Sequence, residues 1–139
     1  MNIKYAKKEL DREYYSGPFL ITEKLIAQFK NLNIAKNQST IFDNNVSSAE
    51  ICNLFMPSLH KPDIKIEFGN LVFFAGQTMD LLSDVSSGDT LTASTKLSNV
   101  YSKTGRSGKM VFIEWKIIFK NQKDEYVSKI KESFVRIET

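Results

Sequence analysis

The stretch Ser86-Ser87-Gly88-Asp89-Thr90-Leu91-Thr92 divides the sequence into two halves of different character. Gly88 can adopt a positive φ without a Cβ penalty, and the Asp89 side chain can accept a hydrogen bond from its own turn. Segments with helical spacing of apolar residues come before this stretch, and long β-branched runs follow it. We therefore expect a tight turn here that leads into a meander of antiparallel strands.

Composition predicts one globular domain of ordinary type. The 139 residues are 42% hydrophobic and 25% charged, which fits a single domain over 1–139, with 1–16 as a polar lead-in segment. No apolar run reaches the roughly 18 residues of a membrane span, and the N-terminus lacks the apolar core of a signal peptide. A single cysteine, Cys52, excludes an intrachain disulfide framework, so we expect a cytoplasmic protein with no membrane partner.

The positive charge is distributed unevenly along the chain. The net charge is +3, and the segment from Lys103 to the end has nine Lys or Arg against five Asp or Glu. A charge this small does not indicate a nucleic-acid partner. Two interpretations stay open for the basic half: solvated outer faces of strands, and a local patch that attracts phosphate.

Two segments before the dividing turn have the pattern of helices. The first is expected to run from Phe19 to Asn33, with Thr22 as its N-cap. The second is expected to run from Ser47 to Met56, because Ser47 and Glu50 have the spacing of a capping box. The intervening loop, 33–46, has a length that often carries function.

The remaining segments have the alternation of strands, with Gly69 and Gly76 as expected bulge or kink points. A long antiparallel sheet and a short buried helix have few good arrangements. We predict an α+β fold in which a curved antiparallel sheet wraps around a central helix, and dimerisation protects its edges. The predicted strands are 64–68, 71–84, 91–101, 110–119 and 125–137, with a hairpin loop over 103–109.

His60 is the single histidine of the chain. Its position between the second helix and the sheet suits either a surface histidine at a helix end or a residue with a role in a site. No second histidine and no cluster of Cys, Asp or Glu with ligand spacing accompanies it, so we predict no metal site.

Three motifs and the first helix resemble a known family. They are Gly76-Gln77-Thr78-Met79-Asp80-Leu81, Ser87-Gly88-Asp89-Thr90-Leu91-Thr92-Ala93, the run 100–112, and the helical stretch 21–29. The chain is similar in these places to the MaoC-like dehydratases, in particular to the N-terminal, FAS1-like dehydratase type with a hotdog fold. The resemblance covers most of 17–137 and is strong over 76–122 but weak over 33–64.

The resemblance implies chemistry on acyl thioesters. Members hydrate enoyl thioesters or dehydrate 3-hydroxyacyl thioesters carried on coenzyme A or acyl carrier protein, with no other cofactor. Active members use the Asp and His of a D-x-N-P-x-H motif, because one group must deprotonate water and another must protonate the α-carbon. With Asn37 aligned to the motif's Asn, Ala35 replaces the Asp and Thr40 replaces the His. Asp43 and His60 remain as weak catalytic candidates.

The resemblance therefore implies a non-catalytic or substrate-binding subunit of an (R)-specific enoyl-thioester hydratase or 3-hydroxyacyl-thioester dehydratase. A partner hotdog would carry the Asp/His dyad, and Lys103, Arg106 and Lys109 would bind phosphates of the carrier. Two alternatives stay open: a homodimer that acts alone on acyl-CoA, for example as a thioesterase, and a module that binds acyl thioesters without turnover.

Overall fold

The computed structural model describes residues 3–36, 47–106 and 108–139, except for the side chains of 33–36. Its five strands form one antiparallel sheet in the order β1-β3-β4-β5-β2, so that β1 and β2 are the edges. The elements in chain order are a 3-10 turn Lys7–Glu9, β1 Tyr14–Leu20, α1 Glu23–Lys36, a 3-10 helix Ser48–Ser58, β2 Leu71–Leu81, β3 Thr90–Gly105, β4 Gly108–Lys120 and β5 Tyr126–Ile137.

The turn predicted at Ser86–Thr92 is confirmed, and it joins three parts of the fold. Gly88 has a φ of 92°, and the Asp89 amide donates to the Ser86 carbonyl at 3.1 Å. The Asp89 carboxylate accepts hydrogen bonds from the Ser86 amide at 2.9 Å and from Gln122 Nε2 at 2.8 Å. Ile21 binds the same turn through both its amide and its carbonyl. The turn therefore holds the start of β3 against the β4–β5 connection and against Ile21, two residues before α1.

One face of the sheet, here called the inner face, carries the core. On β4 the inner face bears Ile113, Trp115, Ile117 and Phe119, all buried, whereas Lys116 between them is exposed, as the alternation predicts. The opposite surface is the outer face. Both helices lie over the inner face, and Ala49, Ile51 and Cys52 of the 3-10 helix are buried in the core with the strands.

The expected helix start at Phe19 is wrong. Residues 14–20 form β1, which pairs with β3. The last three residues of the expected lead-in, 14–16, therefore belong to a strand, and the Gly17-Pro18 pair lies at a shift of register within it. The aromatic side chains of Tyr14, Tyr15 and Phe19 favour this extended structure. Thr22 is confirmed as the N-cap, because its Oγ1 accepts from the Leu25 amide at 3.1 Å.

The second helix is present but has a different geometry. It is a 3-10 helix that extends through Ser58, capped by Ser47, whose hydroxyl accepts from the Ala49 amide at 3.3 Å. Residues three apart align on one side of a 3-10 helix. Ala49, Cys52 and Phe55 have this spacing, and the first two are buried while Phe55 packs against the core. This row faces the core, and Ile51 beside it is also buried there.

The strand expected over 64–68 is also wrong. This stretch is irregular and crosses the inner face. Its backbone groups form hydrogen bonds with the N-terminal residues and do not pair with a neighbouring strand. The Ala6 amide donates to the Ile64 carbonyl at 2.7 Å, and the Glu67 amide donates to the Lys4 carbonyl at 2.9 Å. Residues 59–70, which we call the crossing segment, therefore pack over the inner face together with the N-terminal residues.

Strand β2 ends at Leu81, before the predicted end at residue 84. The Leu82 and Ser83 amides both donate to the Val127 carbonyl, so the regular strand pairing stops there. Gly76 is confirmed as a bulge point, since the register with β5 shifts between Phe74 and Gly76.

Candidate functional site

The loop expected to carry the motif lies mostly outside the described residues. Asp43 and Thr40 fall within 37–46, and Ala35 lies in the last turn of α1. The elements that flank this loop are α1 on one side and, on the other, the 3-10 helix and the crossing segment that follows it.

His60 lies at the start of the crossing segment, beside the edge strand β1. Its backbone amide donates to Ser16 Oγ at 2.7 Å, which fixes the segment to the strand. The imidazole is exposed and lies with its ring centroid 5.0 Å from that of Tyr14, at an interplanar angle of 55°.

Tyr14 connects His60 to a buried carboxylate. The Tyr14 hydroxyl donates to the carboxylate of Glu9, which is only 6% exposed and also lies 3.5 Å from the Arg12 guanidinium. The hydrogen bond to Glu9 is the main reason that the pKa of Tyr14 is raised. We call Glu9, Arg12, Tyr14 and His60 the His60 cluster. It combines an exposed imidazole with a hydroxyl that stays protonated at neutral pH, which are groups suited to proton transfer.

The next residue, Lys61, forms an ion pair on the inner face. Its ammonium contacts the Glu132 carboxylate, which is 7% exposed, and lies 5.4 Å from the Trp115 ring centroid and 5.2 Å from that of Phe134. Glu132 occupies an inner-face position on β5, between Ile130 and Phe134. The pair fastens the crossing segment to the middle of the sheet, since a buried charge needs a partner.

The three predicted phosphate ligands do not converge on one face of the hairpin. Lys103 is opposite Met110 and Lys109 is opposite Thr104, so that alternation places the two lysines on opposite faces. The Lys103 ammonium lies 5.5 Å from the Phe112 ring centroid on the outer face, and that of Lys109 lies 4.9 Å from Phe68 of the crossing segment. Arg106 is exposed at the turn between them.

An open groove lies between α1 and the 3-10 helix. It has a volume of about 580 Å³ and is lined by Leu25, Gln28, Asn31, Leu32 and Leu54. This volume is within the range of small-molecule sites, which are predominantly apolar with a few polar groups. The groove adjoins the end of α1 from which the motif loop departs.

The edge strand β2 exposes four consecutive apolar residues at its start. Phe74 is 60% exposed, and its neighbours Leu71, Val72 and Phe73 are also exposed. The free edge of β2 presents backbone groups that face away from β5. An exposed apolar edge is typical of a surface that pairs with another chain.

Sequence reasoning did not identify Glu9, Tyr14, Lys61 or Glu132. One signal was present, because Glu132 interrupts the apolar series Ile130, Glu132, Phe134 at inward positions of a strand. Across 3–36, 47–106 and 108–139, no three His, Cys, Asp or Glu side chains come together to hold a metal. Within the same residues, no helix has the length and apolar character needed to cross a membrane.

Comparisons with known proteins show the family and the fold of the chain. The model of the FAS1-like dehydratase domain region matches residues 35–130. No curated protein sequence matches the chain.

Solved structures share the fold at low sequence identity. A monoamine oxidase regulatory protein from Archaeoglobus fulgius is 18% identical, with a TM-score of 0.66 over 98% of this chain and 95% of its own. A MaoC-like dehydratase from Rhodospirillum rubrum is 14% identical, with a TM-score of 0.61 over 94% and 93%. The HadBC complex from Mycobacterium tuberculosis, a 3R-hydroxyacyl-ACP dehydratase, is 11% identical, with a TM-score of 0.65 over 91% and 96%. The predicted α+β hotdog fold is thereby confirmed.

Proposed function

This chain belongs to the FAS1-like dehydratase family, and we propose that it is the non-catalytic, substrate-binding subunit of a cytoplasmic (R)-specific enoyl-thioester hydratase or dehydratase. A second hotdog chain supplies the acid–base dyad. The observation that carries the proposal is the pair Ala35 and Thr40 at the positions of the motif's Asp and His. Neither side chain can transfer a proton at neutral pH, so the reaction needs groups from elsewhere.

The β2 edge supports pairing with another hotdog. Burial of Phe73 and Phe74 removes large apolar surface from water, and a partner strand satisfies the backbone groups of the edge. The HadBC complex is a hydroxyacyl dehydratase with a chain of similar fold. A comparable pair would place this chain's groove beside a catalytic partner.

The groove and the hairpin supply the substrate contacts of this proposal. The groove between α1 and the 3-10 helix accommodates an acyl chain, because Leu25, Leu32 and Leu54 line it. The hairpin holds the phosphates of coenzyme A or of the phosphopantetheine of acyl carrier protein. Lys103 and Lys109 are on opposite faces, so only one of them can bind phosphate together with Arg106 at the turn. The single variants Lys103→Met and Lys109→Met identify that lysine, because only one of the two changes weakens binding of acyl-CoA.

The test is purification from the native host followed by assays of crotonyl-CoA hydration. We expect a hotdog chain with an intact D-x-N-P-x-H motif to co-purify, and hydration to require both chains. Phe74→Asp should abolish the pairing. The matched control is Leu20→Asp, because Leu20 is 58% exposed at the opposite edge of the sheet. Hydration by the isolated chain contradicts the proposal, and tight binding of acyl-CoA without turnover in any assembly indicates a pure binding module.

A homodimer that acts alone on acyl-CoA is the second candidate, and the His60 cluster favours it. The imidazole of His60 is exposed and can act as a base, and its ring packs against the ring of Tyr14, which a hydrogen bond to Glu9 holds in place. This candidate requires that the isolated chain turns over an acyl-CoA and that His60→Asn removes the activity while the fold remains intact by circular dichroism.

A further inference from the structure

Three lysines form a straight row across the outer face of the sheet. Lys96 on β3 is directly opposite Lys116 on β4, and Lys116 is directly opposite Lys131 on β5. Paired residues on antiparallel strands have Cα atoms about 4.5–5.5 Å apart, so the three stems leave the sheet at that spacing. We call these residues the lysine row.

The row is not explained by folding stability. Like charges directly opposite each other on neighbouring strands are destabilising. Lysines on edge strands prevent aggregation, but β3, β4 and β5 are the three central strands of this sheet.

The surroundings neutralise only part of the row's charge. Lys131 pairs with Glu114 at 3.3 Å. Among the described residues, neither Lys96 nor Lys116 forms an ion pair, although Lys116 is exposed and Lys96 half-exposed. Two residues away on β5, the outer face also bears Lys129, which is opposite Ile118 of β4 and Asp80 of β2.

We propose that the lysine row docks an acidic helix of a partner protein. Acidic residues three and four apart on a helix have Cβ atoms about 5–6 Å apart, which is close to the spacing at which the lysine stems leave the sheet. Lysine ammonium groups suit this role because they are flexible point charges. The planar fork of arginine is preferred where phosphate is recognised bidentately. Of the arginines, Arg136 lies at an inner-face register position, and its guanidinium donates to the Phe68 and Gly69 carbonyls.

This surface is distinct from the groove proposed for the acyl chain and from the His60 cluster of the second candidate. The groove and the His60 cluster lie on the inner side of the molecule, whereas the row projects from the outer face. The inference therefore stands whether the chain acts with a catalytic partner or alone, and its test requires no enzymatic assay.

Binding is measured by fluorescence anisotropy with a stapled, alanine-based helical peptide that carries Glu at three- and four-residue spacings on one face. The double variant Lys96→Gln/Lys116→Gln should weaken binding by roughly 5- to 30-fold at low salt, since each exposed charge pair contributes up to about 1 kcal/mol. The control is Lys30→Gln, an exposed lysine of α1, which should change the affinity less than about twofold by the same reasoning.

Stability gives an independent readout on the same proteins. Because the double variant removes directly opposed charges, its midpoint of urea unfolding should rise, whereas a lower midpoint contradicts the repulsion argument. Equal peptide affinity of the double variant and the Lys30 control overturns the proposal. An oligothymidylate that binds more tightly than the peptide, with the same sensitivity to the double variant, also overturns it in favour of a polyanion site.

Discussion

The Asp89 carboxylate is predicted to be a main stabilising group of the turn that precedes β3. It accepts one hydrogen bond from the Ser86 amide at 2.9 Å and another from Gln122 Nε2 at 2.8 Å. Hydrogen bonds to an ionised group contribute about 1.5–3 kcal/mol each, and partial exposure reduces both here, so Asp89→Ala should cost about 2 kcal/mol. For a chain of this size, that loss lowers the melting temperature by roughly 6–8 °C.

The same two hydrogen bonds predict how the effect depends on pH. The Ser86 amide, followed by Gln122, lowers the pKa of Asp89 from its usual value. A carboxyl group with a lowered pKa in the folded state stabilises the protein above its unfolded pKa of about 3.9, and this contribution is lost as the pH falls through the folded value. The difference between wild type and Asp89→Asn should thus be constant near neutral pH and shrink below about pH 4.

Urea unfolding followed by tryptophan fluorescence at several pH values measures this difference. Glu138→Gln, which removes an exposed carboxylate near the C-terminus, is the control and should show little change at any pH. The reasoning is refuted if Asp89→Asn and the control lose the same stability at neutral pH. It is refuted equally if the loss in Asp89→Asn persists unchanged at the acid end of the series.

Three further predictions concern the core and its edges. Gly17→Ala should cost roughly 1–3 kcal/mol in urea unfolding, because Gly17 has a φ of 103° and an added Cβ would lie 2.8 Å from the Leu91 carbonyl oxygen. Glu132→Gln should cost about 3 kcal/mol by leaving Lys61 without its counter-charge, and Lys61→Met/Glu132→Leu should recover much of that loss; failure to recover contradicts the ion-pair account. Burial raises the pKa of the Cys52 thiol to about 11, so a thiol reagent at about pH 8 should label it only when urea unfolds the chain, and fast labelling of the folded protein contradicts this.

The sheet was predictable because its signals are local. Alternation along β4 correctly placed Trp115 and Ile117 inward and Lys116 outward, and the turn chemistry of Gly88 and Asp89 correctly placed the start of β3. The errors lie where tertiary contacts override local pattern. Residues 64–68 alternate like a strand, but the N-terminal residues and Arg136 satisfy their backbone instead.

The candidate site was less predictable for the same reason. His60 was identified as a lone histidine, yet its neighbours Tyr14 and Glu9 come from a segment that appeared to be a polar lead-in. Burial of Glu9 depends on the 3-10 turn that contains it and on the contact of that turn with β3, where the Asp11 amide donates to the Leu97 carbonyl at 2.8 Å. No periodicity in the first sixteen residues encodes such a contact.

The two surfaces proposed for partners adjoin each other at the edge of the sheet. The lysine row ends at Lys131, which is directly opposite Thr78 of β2. A hotdog partner that pairs with β2 would therefore continue the outer face of the sheet beyond Lys131. The partner's side chains would then border an acidic helix docked on the lysine row. If those side chains contact the helix favourably, the acidic peptide binds the assembled pair more tightly than the single chain, which fluorescence anisotropy with and without the partner measures. Tighter binding to the pair would mean that pairing at β2 and docking on the outer face strengthen each other, because each would stabilise the complex that contains all three components.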